Sequence, residues 1–307
     1  MIQERERIAV IVLTYNQRDL TLKCIESLLA ATRLPFHTVV WDNGSHDGTS
    51  DALQKMYPQV LVHHHDTNLG VASGRNAAAD LAMKTFDATH LLFLDNDMVV
   101  APGFVDALFR PFRENGRVGQ TQAKLRYMHD PERLNDGGGA RISYLLWRIT
   151  PVGVGEVDRG QHDTVKKCTA CGGAMMVRAD IFRALDGFDP KFGPFGPEDL
   201  DFSLRLQKAG HHALYIPQAV AYHLVNHTMG RGYTEEYARH KMRHWFIFMR
   251  RHASMLQQLG FFCLGAPYLV FCVLMREGRK GNYQALRGLF QGLIDYSRAS
   301  LGKGVDR

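Results

Sequence analysis

Four short apolar runs dominate the first hundred residues: IAVIVL (8–13), FHTVVW (36–41), VLVH (60–63) and HLLFL (90–94). Between them lie stretches with helical spacing, such as Leu20, Cys24, Leu28 and Ala31, and an alanine-rich segment over 72–86. Strands that read as near-continuous apolar runs are covered on both faces. Their alternation with helices of roughly ten to fifteen residues predicts an α/β fold with a parallel, Rossmann-like sheet. Each run also stops abruptly at polar or glycine-bearing residues: Thr14-Tyr15-Asn16, Asp42-Asn43-Gly44-Ser45, Asn68-Leu69-Gly70 and Asp95-Asn96-Asp97. In such a sheet all four ends fall on one edge, where open α/β folds bind ligands.

The fourth end carries the most chemistry. Two carboxylates two residues apart suit a hard divalent cation, Mg²⁺ or Mn²⁺, which in turn clamps phosphate oxygens. Standing alone, Asp95-Asn96-Asp97 would read as a solvated turn. Beside three other polar strand ends it reads as one wall of a nucleotide site. No G-x-G-x-x-G follows the first strand and no Walker lysine loop is present, which argues against dinucleotide binding and P-loop phosphate transfer. Downstream, a helix is expected over 102–114, glycine-rich loops over 136–139 and 151–160, a strand over 174–177 after Gly172 and Gly173, and a short helix over 179–185. The segment PEDLD (197–201) opens another helix that ends near Gly210; its acids have a plain reading as groups that compensate the helix dipole.

The 307 residues are ample for a packed core. Five cysteines include a single C-x-x-C, Cys168 and Cys171, with no second pair to complete a zinc site, so reduced thiols in a cytoplasmic compartment are expected. The charged start MIQERERIAV does not read as a signal peptide. Charge is uneven: from residue 230 onward 13 Lys and Arg face 5 acids, whereas the first 229 residues carry 24 bases and 26 acids. That division suggests a catalytic-type α/β domain over 1–229 and a basic, amphipathic helical region over 230–307, and it argues against nucleic-acid binding by the whole chain. A basic helix over 234–257 interleaves Tyr237, Trp245, Phe246, Phe248 and Met249 with Arg and His; the apolar stretch 261–275, 15 residues, is short for a membrane span. Such a tail suits docking on an anionic cytoplasmic leaflet, which would make the protein peripheral on the inner face of the membrane. The competing expectation is a helical pair packed on the catalytic domain or on the twin subunit of a homodimer.

Five ordered blocks carry a resemblance: VIVLTYN (10–16), WDNGSHDGT (41–49), NLGVASGRNAA (68–78), LFLDNDMVV (92–100), and GGAMMVRADIFRALDGFDPKF (172–192) followed by PEDLDFSLRLQKAG (197–210). Together they resemble the family 2 glycosyltransferases of GT-A fold, nucleotide-sugar-dependent inverting enzymes, over roughly residues 8–223. The DNGS and NLGVASGRN forms look most like the rhamnosyl- and galactofuranosyltransferase branch. The resemblance implies that Thr14, Tyr15 and Asn16 line the nucleotide pocket and that Asp42 accepts the N3–H of a pyrimidine base. It implies that Asn68, Gly70, Arg75 and Asn76 hold the ribose and diphosphate. Asp95 would contact the ribose or a metal water, Asp97 would ligate Mg²⁺ or Mn²⁺, and His223, with His227 as competitor, would complete the metal set. The base on the acceptor hydroxyl would be Asp199, with Glu198 second; Asp201 and Arg205 would orient neighbours, and Gly172, Gly173 and Phe195 would shape the acceptor side. The implied reaction is transfer of a sugar from a UDP- or dTDP-sugar to a hydroxyl of a glycan or lipid-linked acceptor, as in cell-surface polysaccharide assembly. Two alternatives are a nucleotidyltransferase acting on sugar phosphates and a non-catalytic sugar-nucleotide-binding protein. The first would place a basic glycine-rich loop where TYNQRD stands. The second leaves the retention of Asp42, Asp95, Asp97, Asp199 and His223 without a reason.

Overall fold

The structure, a computed structural model, describes residues 6–31, 33–146, 148–170, 172–193, 196–225 and 234–301. Cys171, Phe195 and His227 lie outside these residues. The first half alternates as expected: β1 (Ile8–Thr14), α1 (Arg18–Ala31), β2 (Phe36–Asp42), α2 (Thr49–Met56), β3 (Leu61–His64), α3 (Val71–Phe86), β4 (His90–Asp95), β5 (Met98–Val100) and α4 (Phe104–Glu114). The second half adds β6 (Val118–Tyr127), β7 (Leu134–Asp136), the small hairpin β8 (Ala140–Ser143) and β9 (Arg148–Pro151), β10 (Lys166–Lys167) and β11 (Ala174–Arg178). It continues through α5 (Ala179–Ala184), α6 (Glu198–Lys208) and β12 (His212–His223). Four helices follow: α7 (Glu235–His252), α8 (Met255–Gly260), α9 (Ala266–Arg279) and α10 (Tyr283–Leu301).

The main sheet runs β10-β12-β6-β11-β4-β1-β2-β3. β1 is parallel to β2 and β4, and β2 to β3; β11 enters antiparallel between β4 and β6, and β12 is parallel to β6. The sheet is therefore mostly parallel, with β11 reversed in its interior and the short strands β5, β7 and β10 pairing antiparallel at its β6–β12 side. Alternate residues of β1 and β4 serve opposite faces, as strand geometry requires. Val10, Val12, Leu92 and Leu94 pack with Ile25 and Leu28 of α1 and Phe104 and Leu108 of α4. Ile11, Leu91 and Phe93 pack with Ala78, Ala79 and Ala82 of α3 and with Phe182 and Phe202 of α5 and α6. The alanines of α3 let that helix sit close to the sheet.

Apolar patterning missed the strands from β6 to β10, of which β6 is the longest. Its Gln120, Thr121, Gln122 and Lys124 are all buried, so a strand interior to the sheet reads as polar sequence. The strand β12 runs from His212 to His223, with an irregularity between Ile216 and Val220 around Pro217.

Two compact units emerge. One comprises Met1–Ala140, Pro151–Pro190 and Glu198–Val225 and holds the sheet; the other comprises Arg141–Thr150, Lys191–Pro197 and Asn226–Arg307. In the helical unit the expected continuous basic helix to 257 stops at His252. Ser254 there accepts from the Gln257 main chain while the Gln257 side chain reaches back, a capping box that starts a new helix. The expected 15-residue apolar stretch becomes part of one 25-residue helix, Met255–Arg279, continuous through a π-helical segment at Phe261–Gly265.

Candidate active site

The parallel register sets Leu13 beside Asp95 and Thr14 beside Asp42, so the polar ends of three strands meet at one edge. Within Asp95-Asn96-Asp97 the middle residue is the anchor. The Asn96 amide donates to Gln17 Oε1 (2.8 Å), Thr21 Oγ1 (3.1 Å) and Thr14 Oγ1 (3.3 Å). With Asn96 turned into the fold, Asp95 and Asp97 project from the strand end. β12 pairs antiparallel with β5, His223 opposite Met98, and this brings the imidazole to the same place. One ligand atom each from Asp95, Asp97 and His223 lies within 4.8 Å of the others.

His223 Nε2 is 3.3 Å from Asp97 Oδ1, and its Nδ1 is 2.9 Å from Asn135 Oδ1. With Nδ1–H donating to Asn135, Nε2 is the nitrogen left facing the carboxylates, and in the neutral imidazole its lone pair would be the one a metal takes. Burial opposes the imidazolium, but the Asp97 hydrogen bond and the charges of Asp97 and Asp95 outweigh it and raise the His223 pKa. Two carboxylates and one imidazole form a donor set that fits Mg²⁺ or Mn²⁺.

A second group adjoins the first through Arg75 of α3. Its buried guanidinium donates to Asp95 Oδ1 (2.5 Å) and to Glu198 Oε1 (3.2 Å). Glu198 and Asp199 open α6. Burial, then the charge of Asp199, pushes the Glu198 carboxyl up to about 8 against the pull of Arg75. Asp199 is also raised, by burial first; its Oδ2 accepts from Gly172 N (2.5 Å) and its Oδ1 from Leu200 N (2.6 Å), contacts that oppose the rise. Gly173 is fixed by the same crowding. A Cβ there would lie 1.8 Å from Asp95 Oδ2, and the Asp95 N–H donates to Gly173 O at 2.7 Å. No side chain fits where β11 meets the end of β4.

The residues expected on the nucleotide side are knit together by hydrogen bonds, many of them to the main chain. Asp42 is fully buried; its Oδ1 accepts from Ser45 N (2.8 Å), and its Oδ2 meets Ser50 Oγ (2.5 Å) and His64 Nδ1 (3.0 Å). Burial would raise its pKa, but these hydrogen bonds prevail and lower it. Both Asp42 oxygens are thus engaged inside the fold. Asn68 Oδ1 accepts from Asn43 Nδ2 and Gly70 N, both at 2.8 Å, and Asn43 Oδ1 accepts from Leu69 N (3.0 Å). Asn16, at φ 52°, accepts from His46 N (2.8 Å) and ties the end of β1 to the loop after β2. Thr14 is buried against Thr21 (2.7 Å), whereas Tyr15 is exposed. Asn76, expected beside the diphosphate, clamps the main chain of Phe188, donating to its O (2.7 Å) and accepting from its N (2.9 Å).

Through Asn43 and Ser45, the residues Thr14, Asn16, Asp42, Asn68 and Gly70 form one bonded set, and Arg75, Asp95 and Glu198 form another, with Asp199 next to it in the chain. Arg205 pairs with Asp201 (2.8 Å) and donates to the carbonyls of Leu185 and Gly187. Sequence reasoning missed Asn43, His64, Asn96 and Asn135. The first three sit within or next to motifs already singled out; Asn135 sits in a glycine-rich loop region with no local signal.

Residues 9–186 match the family model described as glycosyl transferase family 2, and residues 163–229 match one described as the N-terminal domain of galactosyltransferase. The chain is 26% identical over 264 residues to the N-acetylglucosaminyl-diphospho-decaprenol L-rhamnosyltransferase of Mycobacterium tuberculosis, covering 80% of this chain and 85% of the relative. Its fold is similar to that of GalNAc-T7 solved with UDP, GalNAc and Mn²⁺, with a TM-score of 0.59 at 15% identity, covering 72% of this chain and 44% of that one. It is also similar to the mannosyltransferase PcManGT from Pyrobaculum calidifontis in complex with GDP-Man and Mn²⁺, with a TM-score of 0.57 at 15% identity, covering 96% of this chain and 88% of that one. The chain belongs to glycosyl transferase family 2 and is a glycosyltransferase of GT-A fold.

Proposed function

We propose that the enzyme transfers a sugar, of the rhamnosyl type, from a UDP- or dTDP-sugar to a hydroxyl of a lipid-linked glycan acceptor, by a single inverting displacement. The observation that carries this reading is the convergence of Asp95, Asp97 and His223 on one point, next to a carboxylate pair at the start of α6. Asp97 and His223, with Asp95, would hold Mg²⁺ or Mn²⁺; when bound, such a cation takes up charge on the departing nucleoside diphosphate. The residues of β1, β2 and the loop before α3 frame the nucleotide, and the lipid-linked acceptor follows from the named substrate of the mycobacterial relative. An enzyme with such an acceptor works against the cytoplasmic face of a membrane, and the helical unit is the part suited to meet it.

Asp199 is assigned as the base that takes the acceptor proton. It is partly exposed, and two main-chain N–H groups orient it. Glu198 is buried on Arg75, and with its pKa near 8 it is mostly protonated at neutral pH. Arg75 joins the two halves by holding Asp95 and Glu198 at once. The test is release of nucleoside diphosphate from a panel of UDP-, dTDP- and GDP-sugars with Mn²⁺, Mg²⁺ or chelator. Turnover of one UDP- or dTDP-sugar that chelator stops supports the reading; turnover indifferent to chelator, or confined to a GDP-sugar, refutes it.

A further inference from the structure

The helix Met255–Arg279 is apolar enough to cross a bilayer: its best 18-residue window has mean hydropathy 1.9, and only 11% of that window is buried. At 1.5 Å per residue it reaches about 37 Å, longer than the ~30 Å hydrocarbon core of a membrane. Leu256, Leu259, Leu264, Tyr268 and Phe271 stand exposed along it, and α10 adds Phe290 and Ile294. A continuous apolar surface of this kind calls for a cover.

The packing of the helical unit decides how it can be covered. α7 and α10 run parallel: Glu235 meets Arg287 (3.5 Å), Arg239 meets Asp295 (2.5 Å), and Phe246 meets Tyr296 (5.1 Å between ring centroids). Gly288 and Gly292 allow the close approach, since a Cβ at either would lie 2.1–2.2 Å from the carbonyl of Glu235 or Arg239. The chain must therefore return from the end of α7 to the start of α10, and Met255–Arg279 is that return, with Phe262 5.6 Å from Phe246 between ring centroids. If this helix crossed a bilayer, α7 alongside it would cross too. Ten of the 18 residues of α7 are Glu, Arg, Lys or His, and each ionised one at a bilayer centre costs about 2.5–3.5 kcal/mol on insertion scales. A crossing is excluded on that ground.

The geometry points to an in-plane membrane anchor: Met255–Arg279 lies along the surface of an anionic bilayer, its exposed apolar side sunk among the lipid tails. Arg250 and Arg251 precede the helix and Arg276, Arg279 and Lys280 end it, so cations stand at both ends to meet anionic headgroups. A cavity of about 540 Å³ among α7, α9 and α10 has the same amphiphilic chemistry, with Phe246, Val270, Leu289 and Leu293 in its wall beside Lys241 and Arg276. Cations at an apolar wall favour lipid over a second copy of the chain as the cover. The inference deepens the reading of a lipid-linked acceptor, but it rests on the helical unit alone.

The test uses the full chain with phosphatidylcholine vesicles, with and without phosphatidylglycerol, and impermeant maleimide labelling of cysteines at the two helix ends. Met255→Cys and Lys280→Cys are made separately with Cys263→Ser and Cys272→Ser, and labelled in sealed membrane vesicles of either orientation. The protein should float with anionic vesicles, and Leu259→Asp with Phe271→Asp should lower that partition at least about tenfold. Both ends should label from the same, cytoplasmic side. Labelling from opposite sides overturns the inference, as does a wild-type protein that ignores vesicles and covers the face by dimerising. Nucleotide-sugar turnover is read in the same preparations: turnover without vesicle binding refutes the anchor alone, and vesicle binding without turnover of any UDP- or dTDP-sugar refutes the donor reading alone.

Discussion

Two clusters of charge sit in the sheet-bearing unit, and they are built on opposite plans. In one, Lys124 of β6 pairs with Asp158 (2.8 Å) and Asp163, and Arg126 pairs with Asp158 (2.6 Å). Lys124 and Asp158 are almost fully buried, and cations and anions balance two to two. In the other, Arg75 faces Asp95, Glu198 and Asp199, three carboxyl groups to one guanidinium, and Asp97 adjoins them paired with His223. A balanced buried network can be explained by folding alone. Crowded like charges raise the energy of the fold, so their presence points to a counter-charge that arrives with function.

The largest expected effects separate the two clusters. Asp97→Ala should lower sugar transfer roughly 10²–10³-fold, the size seen when one preorganised electrostatic group is lost. Its melting temperature should stay level or rise, because repulsion is relieved. Lys124→Met should do the reverse, destabilising by about 3–5 kcal/mol as buried Asp158 loses a partner, with the apparent affinity for nucleotide unchanged. Paired thermal melts and donor-turnover assays check both, and a melt for Asp97→Ala as depressed as that of Lys124→Met would erase the distinction.

The clusters should also respond to pH with opposite sign. Asp158 is held down to about 2 by Lys124 and Arg126 despite burial. Its contribution to stability is thus present above its ordinary value of 3.8 and lost as pH falls through about 2. Glu198 is raised from 4.5 to about 8, so its contribution is present below 4.5 and lost as pH rises through about 8. Relative to wild type, Glu198→Gln should gain stability across that window by at most about 1.4 kcal/mol per pH unit, whereas Asp158→Asn should lose its disadvantage only in strong acid. Chemical denaturation at a series of pH values reads both slopes. A flat Glu198→Gln difference from pH 5 to 8 would remove the case for a strained carboxylate.

How much of this was legible in the sequence follows from the same contrast. The strand ends were readable because apolar runs stop at polar residues, and Asp95, Asp97, His223 and the Glu198-Asp199 pair do come together as two adjoining groups. β6 was not readable, because Gln120, Gln122 and Lys124 are buried only by virtue of partners far along the chain, among them Asp136 and Asp158. The enclosure of Asp42 was hidden for a similar reason: Ser50 and His64 reach it from other elements. Helix limits in the tail turned on one local motif, the Ser254 cap, which hydrophobic patterning does not weigh.

The smallest effect gives the sharpest test, because it falls on neighbours in one short strand. β7 carries Asn135, which holds His223 Nδ1 at 2.9 Å, and Asp136, which accepts from Gln122 Nε2 (2.7 Å) and from the main chains of Gly138 and Gly139. Strand alternation sends the two side chains to opposite sides, so one serves the proposed metal ligands and the other the buried framework. Asn135→Ala frees the imidazole to rotate and should raise the Mn²⁺ concentration for half-maximal donor turnover roughly 10–100-fold, the usual cost of losing an outer partner of a metal-ligating histidine. Asn135→Asp keeps the acceptor and should recover most of that loss. Asp136→Ala should leave the Mn²⁺ requirement unchanged but lower the melting temperature, because buried donors at Gln122 and the glycine turn lose their acceptor. Should Asn135→Ala instead shift the melt and spare the Mn²⁺ titration, His223 would be a packing residue and the metal set would shrink to the two aspartates.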